Sequence, residues 1–215
     1  MREAQAMQTK LKLMESAQAL FAEKGYKGTS VREINHRVGV TEGMLYHYFP
    51  GGKKELFRVI VQKNLNRIVE EFSDKKEIAS YVYMPLEEVL ESVYLRFIDI
   101  IDGHIDIIRI MLRENEVRDI ITKEDVQTFI DGTEPWFKML LEKKSELGEI
   151  GKFDFESAAI AMDKLLVNHI MLLALGLDNE KIDNQAVRKR VFRYFVDMWK
   201  VAGAEPAHPI RAQVY

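Results

Sequence analysis

Between Phe155 and Leu175 the chain is apolar on almost every side of a helix, through Met162, Leu165, Leu166, Ile170, Met171, Leu172 and Leu173. Such a helix must be surrounded, by protein or by a bilayer. Asp163, Lys164, Asn168 and His169 interrupt the run, so no uncharged stretch reaches the roughly 18 residues that read as a membrane span. Burial in protein is left. In a chain of 215 residues its own domain covers one side. The other side would join the Val187, Val191, Phe195, Val196 and Trp199 face of a last helix expected over 184–202. Together they make an apolar patch larger than a monomer ordinarily exposes. The pattern predicts a two-fold homodimer through the last two helices, a four-helix bundle with two from each copy. Arg188, Lys189, Arg190 and Arg193 are expected on the opposite, solvated side of the last helix.

The rest of the chain also reads as helices. Leu13, Ala17, Leu20 and Phe21 share one face of a first helix that Lys24-Gly25 should end. A connecting helix starts near Lys53 and carries Leu56, Phe57, Ile60, Leu65, Ile68 and Phe72, giving way to the charged Ser73–Glu77. Pro85 suits a first helical position before Val89, Leu90, Val93, Phe97, Ile98 and Ile101. Asp102-Gly103 breaks that helix, and a short one follows over 105–112. Residues 124–147 are helical with Pro135 inside, which predicts a kink or break near Gly132-Thr133-Glu134. Pro206 and Pro209 mark an irregular tail. Cysteine is absent, and residues 1–14 carry Arg2, Glu3, Lys10 and Lys12 with no apolar core of a signal peptide. Both fit a reducing cytoplasm.

The stretch Thr29–Phe49 carries the most local information. Ser30-Val31-Arg32-Glu33 is a capping box, Ile34 and Val38 follow on one face, and Gly39 supplies a left-handed stop. Val40 is the turn residue, Thr41 is expected to cap a second helix, and Leu45 faces inward. Two helices joined by a short turn containing Gly make a helix-turn-helix, whose second helix enters the DNA major groove. The candidate contacts are Thr29, Ser30, Thr41, Glu42, Gly43, Met44, Tyr46, His47, Tyr48 and Lys53. Hydroxyls and a helix N-terminus suit phosphate, Gly43 permits close approach, and Met44 suits a thymine methyl. Charge agrees with this reading. Residues 1–54 carry nine Lys and Arg against five Asp and Glu, whereas the remainder has 22 against 29. A basic end on an acidic body suits DNA binding through that end.

Over roughly residues 10–60 the chain resembles the tetracycline-repressor (TetR) family of transcriptional regulators. The likeness lies in Ala17, Leu20-Phe21, Gly25-Tyr26, Thr29-Ser30-Val31, Ile34, Gly39-Val40-Thr41, Gly43, Leu45-Tyr46, Tyr48-Phe49 and Lys53. Asn35 and Glu42 depart from the usual residues, and Pro50-Gly51-Gly52 is one residue longer than the usual connection. The resemblance implies an all-α chain of about nine helices. Residues 1–52 would form a three-helix DNA-binding domain, and residues 53–215 a ligand-binding and dimerisation domain. It further implies a homodimer on double-stranded DNA with a pseudo-palindromic operator, released by a small, largely apolar effector. Interleaved aromatic, Met and polar residues between 94 and 171 give the pocket candidates Tyr94, Phe97, Arg109, Arg113, Trp136, Met139, Asn168 and His169.

Catalysis has little support in the sequence. Glu33-Ile34-Asn35-His36 has the Glu-x-x-His spacing of di-iron bundles, but Glu33 already serves as a cap. There is no Gly-rich phosphate loop, no G-x-S-x-G and no H-E-x-x-H. His104 and His169 read as core or pocket histidines. No cofactor, metal or catalytic residue is expected. The competing classes are an all-α ligand-binding protein or enzyme carrying a helix-turn-helix, and an architectural DNA-binding protein without effector. Salt-sensitive, sequence-specific operator binding separates the first from the repressor reading, and a ligand that weakens that binding separates the second.

Overall fold

The computed structural model describes residues 2–72, 80–117, 119–177 and 184–201, without the side chains at 2, 113, 126 and 128–132. Among the described residues the chain is all helical. In order these are α1 (Arg2–Gly28), α2 (Val31–Val38), α3 (Met44–Tyr48), α4 (Gly52–Phe72), α5 (Leu86–Asp102) and α6 (Ile105–Arg113). A 3₁₀ turn (Asn115–Val117) leads to α7 (Lys123–Glu146), α8 (Phe155–Leu175) and α9 (Gln185–Val201). The charged segment Ser73–Glu77 and the tail with Pro206 and Pro209 lie outside the described residues.

Local chemistry accounts for most boundaries. Ser30 Oγ accepts from the Glu33 N–H at 3.2 Å while Glu33 Oε2 accepts from the Ser30 N–H at 3.0 Å, the reciprocal box expected at the start of α2. Gly39 ends α2 in the left-handed region at φ 75°. Asp154 caps α8 through the Ser157 N–H, and Gly176 closes it. Pro85 stands one place earlier than expected, at the N-cap of α5. Three expectations fail. Thr41 gives α3 no side-chain cap, because the Met44 N–H is taken at 2.9 Å by Thr41's own carbonyl. α7 does not break at Pro135 but runs unbroken to Glu146 from a second capping box, Thr122 with Asp125. Arg188 is buried, because it falls on the same α9 stripe as Phe192, Phe195 and Trp199.

Two aromatic groups organise one continuous core. Phe57 of α4 meets Phe21 and Tyr26 of α1 edge-on, and those two rings are tilted against each other, with centroids 5.1–5.6 Å apart. At the other end of α4, Phe72 meets Phe97, Trp136 and Phe137. α8 buries Ala159, Met162, Asp163, Leu166, His169, Ile170 and Ala174 against α5, α6 and α7. Its opposite side leaves Ile160, Leu165, Met171 and Leu175 between 37% and 43% exposed, as its composition requires of a single copy. By length and hydropathy it is the one described helix that could cross a membrane. Within the fold, however, its Asp163 is buried and accepts the Thr133 hydroxyl at 2.6 Å.

The Glu33 carboxyl is lowered to about 2, first by the Lys24 ammonium at 2.6 Å and then by the Ser30 amide and hydroxyl. A carboxyl held low in the folded state stabilises the fold above its ordinary value of 4.5, and that contribution fades as pH falls toward 2. Glu33→Gln is therefore expected to lower Tm at pH 7, with the gap to wild type closing between pH 4.5 and 2 in calorimetric scans.

Candidate functional site

The helix-turn-helix presents a polar face. Leu45 and Phe49 are buried in the core and α3 packs on α2, while Thr41, Glu42, Gly43 and His47 are exposed. Tyr46 is 53% exposed, and its ring lies over Gly52, where φ is 66° and an added Cβ would come within 3.0 Å of the ring. Gly52 therefore has to be glycine, and the longer Pro50-Gly51-Gly52 connection seats Tyr46 at the surface. The departures at Asn35 and Glu42 are linked physically. Asn35 is buried, and its amide donates to the Glu42 carbonyl at 2.9 Å, fixing the entry to α3. The Glu42 carboxylate in turn meets Arg32 of α2 at 3.3 Å, both largely exposed. Arg32 is thus a cation on this face that the sequence reading did not single out. Its place opposite the Ile34/Val38 stripe was the available signal.

Three candidates are used internally. Thr29 is buried, and its hydroxyl donates to the Gly25 and Leu20 carbonyls at 2.8 and 3.1 Å. The Ser30 hydroxyl is engaged by Glu33. Lys53 donates to the Tyr26 and Thr29 carbonyls, both at 2.8 Å, and its ammonium sits 4.2 Å from the centre of the Tyr26 ring. Burial lowers its pKa, against the opposing pull of Glu114 and Glu116. Lys53, expected on phosphate, is held here by the carbonyls ending α1, which lie within reach. Met44 and Tyr48 are half-buried against the core, so only part of each faces outward.

The second feature is a cavity of about 200 Å³ among α5, α7, α8 and α9. Leu90, Val93, Phe137, Met162, Leu166 and Phe192 give it apolar walls, and Leu165 and Val191 lie at its partly exposed rim. Its polar groups gather on one side. The Tyr94 hydroxyl is 3.0 Å from His169 Nε2, and the Arg188 guanidinium stands 5.1 Å from the centre of the Tyr94 ring. Arg188 also pairs with Glu91 at 3.3 Å, both side chains nearly buried.

Residues 13–60 match the family described as bacterial regulatory proteins, tetR family. Over this segment the chain is similar to the tetR family. Among curated relatives, the transcriptional repressor AcnR of Corynebacterium efficiens is 34% identical over 62 residues, covering 29% of this chain and 32% of that protein. The chain thus spans about a third of that relative's length. The whole chain has the tetR-family fold. A tetR-family transcriptional regulator from Mesorhizobium loti superimposes with TM-score 0.67 at 18% identity, over 90% of this chain and 96% of that one. The regulator FadR from Bacillus subtilis, in complex with stearoyl-CoA, superimposes with TM-score 0.58 at 16% identity, over 89% and 98%.

Of the expected pocket residues, the structure brings Tyr94 and His169 together at the cavity. Phe97 and Trp136 belong instead to the aromatic group around Phe72. Arg109 pairs with Asp106 at the surface, Met139 and Asn168 are exposed, and the Arg113 side chain lies outside the described residues. Asn168, beside His169, is turned by about 100° to the far side of α8. Arg188 and the apolar walls went unrecognised because each is ordinary core by pattern.

Removing one member of a nearly buried ion pair leaves its partner uncompensated, so Arg188→Met is expected to cost about 3 kcal/mol in urea unfolding. Adding Glu91→Gln to it should restore most of that loss.

Proposed function

We propose that this protein is a DNA-binding transcriptional repressor, released from a pseudo-palindromic operator by a small, largely apolar ligand. The observation that carries this reading is the pairing of an outward polar α2–α3 face with a separate apolar cavity in one core. The division of labour follows residues 1–52 for DNA and 53–215 for effector and dimer, in the bacterial cytoplasm. Chemistry on a substrate is not part of the proposal. Glu33, of the Glu-x-x-His pair on α2, is engaged in capping that helix.

The cavity narrows the effector class. Its polar side is already balanced, with Arg188 facing Glu91 and the Tyr94 hydroxyl facing His169. A neutral hydrogen-bonding end therefore suits it better than a free carboxylate. The volume of about 200 Å³ is below the roughly 300–1,000 Å³ of ordinary ligand sites, which favours a short or branched apolar group. FadR from Bacillus subtilis, solved with stearoyl-CoA, lends support to an acyl compound, although a long chain would need the walls to move.

Two-fold assembly would cover the bare side of α8 together with Val191, Tyr194 and Met198 of α9. It would also place two α3 helices on successive major grooves about 34 Å apart. Because Leu165 and Val191 line both this face and the cavity rim, the second copy would lie across the mouth. Leu166 is buried within its own chain, so a charge there tests the core rather than the interface. Met171→Glu with Met198→Glu is expected to give folded monomers in sedimentation at micromolar concentration, with operator binding lost. A wild type that sediments as a monomer there would end the dimer reading.

Gel-shift titration against duplexes selected from a random pool tests DNA binding itself. Arg32→Ala should shallow the dependence of log affinity on log salt by about one unit. Lys53→Met should lower Tm and leave that slope unchanged. A slope that falls for Lys53→Met and not for Arg32→Ala would reverse these assignments.

A further inference from the structure

Glu114 sits where α6 ends, in extended conformation, and its side chain leaves the effector domain altogether. Oε1 accepts the Tyr26 N–H at 2.8 Å and Oε2 accepts the Lys27 N–H at 3.0 Å, two consecutive amides beyond the bend in α1. That bend is made by Gly25, at φ 77° and ψ 171°. The carboxylate lies so close that a Cβ on Gly25 would be 2.6 Å from Oε1. Successive amides turned to one point form an anion-binding concavity, and here a side chain from the other domain fills it. The same loop is gripped from behind by Lys53, through the Tyr26 and Thr29 carbonyls, and Thr29 is followed directly by the cap of α2. α6 itself packs between α1 and α8, and α8 supplies Met162 and Leu166 to the cavity wall.

We infer that Glu114 is a positioning residue for DNA binding: its carboxylate clamps the Gly25–Thr29 loop to the effector domain and so sets the angle of the helix-turn-helix. The inference rests on the repressor reading above. A bidentate contact from a charged group to two amides has fixed length and direction, which a patch of apolar contact does not. The clamp ties the residue that caps α6, the helix packed on the cavity-lining α8, to the segment feeding α2. A shift of α6 along its axis would pull on that loop or release it. Glu116, which meets Lys27 at 3.3 Å with both side chains exposed, is the natural control.

The test uses the full-length protein and a duplex selected by the wild type. In Glu114→Gln one amide loses its acceptor, and in Glu114→Asp the charge stays but the reach is too short. Both are expected to raise exchange of the Tyr26 and Lys27 amides about tenfold and to weaken the selected duplex about tenfold. Binding to unrelated DNA at low salt should be unchanged, and Glu116→Gln should behave as wild type. A purely structural role would lower both kinds of DNA binding and Tm together, which would overturn the inference. So would unprotected Tyr26 and Lys27 amides in the wild type, a measurement that needs no variant. A wild type that selected no duplex would remove the repressor reading, while amide exchange would still decide whether the clamp exists.

Discussion

Everything in this structure depends on α4 being held at both ends. Phe57 near its start is locked between Phe21 and Tyr26, and Phe72 at its end is locked among Phe97, Trp136 and Phe137. The rise of a helix puts these two anchors about 22 Å apart. Between them Ile60, Val61, Leu65 and Ile68 are buried without a break, so the two functional regions share one core rather than meeting at a linker. Packed cores do not deform smoothly, so a rod fixed at both ends passes on displacement rather than absorbing it. α1 is joined to the same body a second time, through α6. The helix-turn-helix is therefore carried on two supports, and its orientation is decided by their relative position.

Polar groups in this core do specific work. Lys144 is 1% exposed and holds the Val82 and Met84 carbonyls while pairing with Glu149, whose carboxylate accepts the Leu86 N–H. That set fixes the start of α5. His104, at the start of α6, is 2.6 Å from Asn64 of α4, and Asn64 also reaches Gln18 of α1. Burial holds the His104 pKa low, so near neutral pH the ring is uncharged and fits this neutral junction. Buried polar groups of this kind add little net stability but penalise any arrangement that separates them. They occur where three helices meet and where orientation matters most.

Much of the fold was legible in the sequence because it rests on local rules. Ser30 with Glu33, Gly39, and the ends of α8 at Asp154 and Gly176 are decided by residues within four positions of one another. The helix-turn-helix was legible for the same reason, and so was the bare side of α8, which follows from composition alone. What escaped depends on contacts distant in sequence. The hold on Lys53 was not legible, because nothing nearby shows that the Tyr26 carbonyl, 27 residues back, lies within 2.8 Å. Arg188 looked solvated among Lys189 and Arg190 because its partner Glu91 is 97 residues away. Most residues of the cavity were not legible because a wall and a core have the same composition. They differ only in whether the space between the side chains is filled.

The magnitudes make a small number of contacts sufficient for control. Coupling between two ligands on one protein is ordinarily about 1–3 kcal/mol. A hydrogen bond to a charged group contributes about 1.5–3 kcal/mol, so one bidentate carboxylate spans that range by itself. Exposed pairs such as Lys24–Glu33 or Arg37–Glu23 fall well short of it in water. Apolar contacts along α4 contribute more in total, yet they change little when a helix slides by a fraction of a turn. The Glu114 contact differs in kind, since a displacement of about 1 Å takes it outside hydrogen-bonding distance. Stability in this chain is spread over dozens of buried side chains. The orientation of α2 and α3 rests on a few directional bonds at the junction, Glu114 with the Tyr26 and Lys27 amides and Lys53 with the Tyr26 and Thr29 carbonyls.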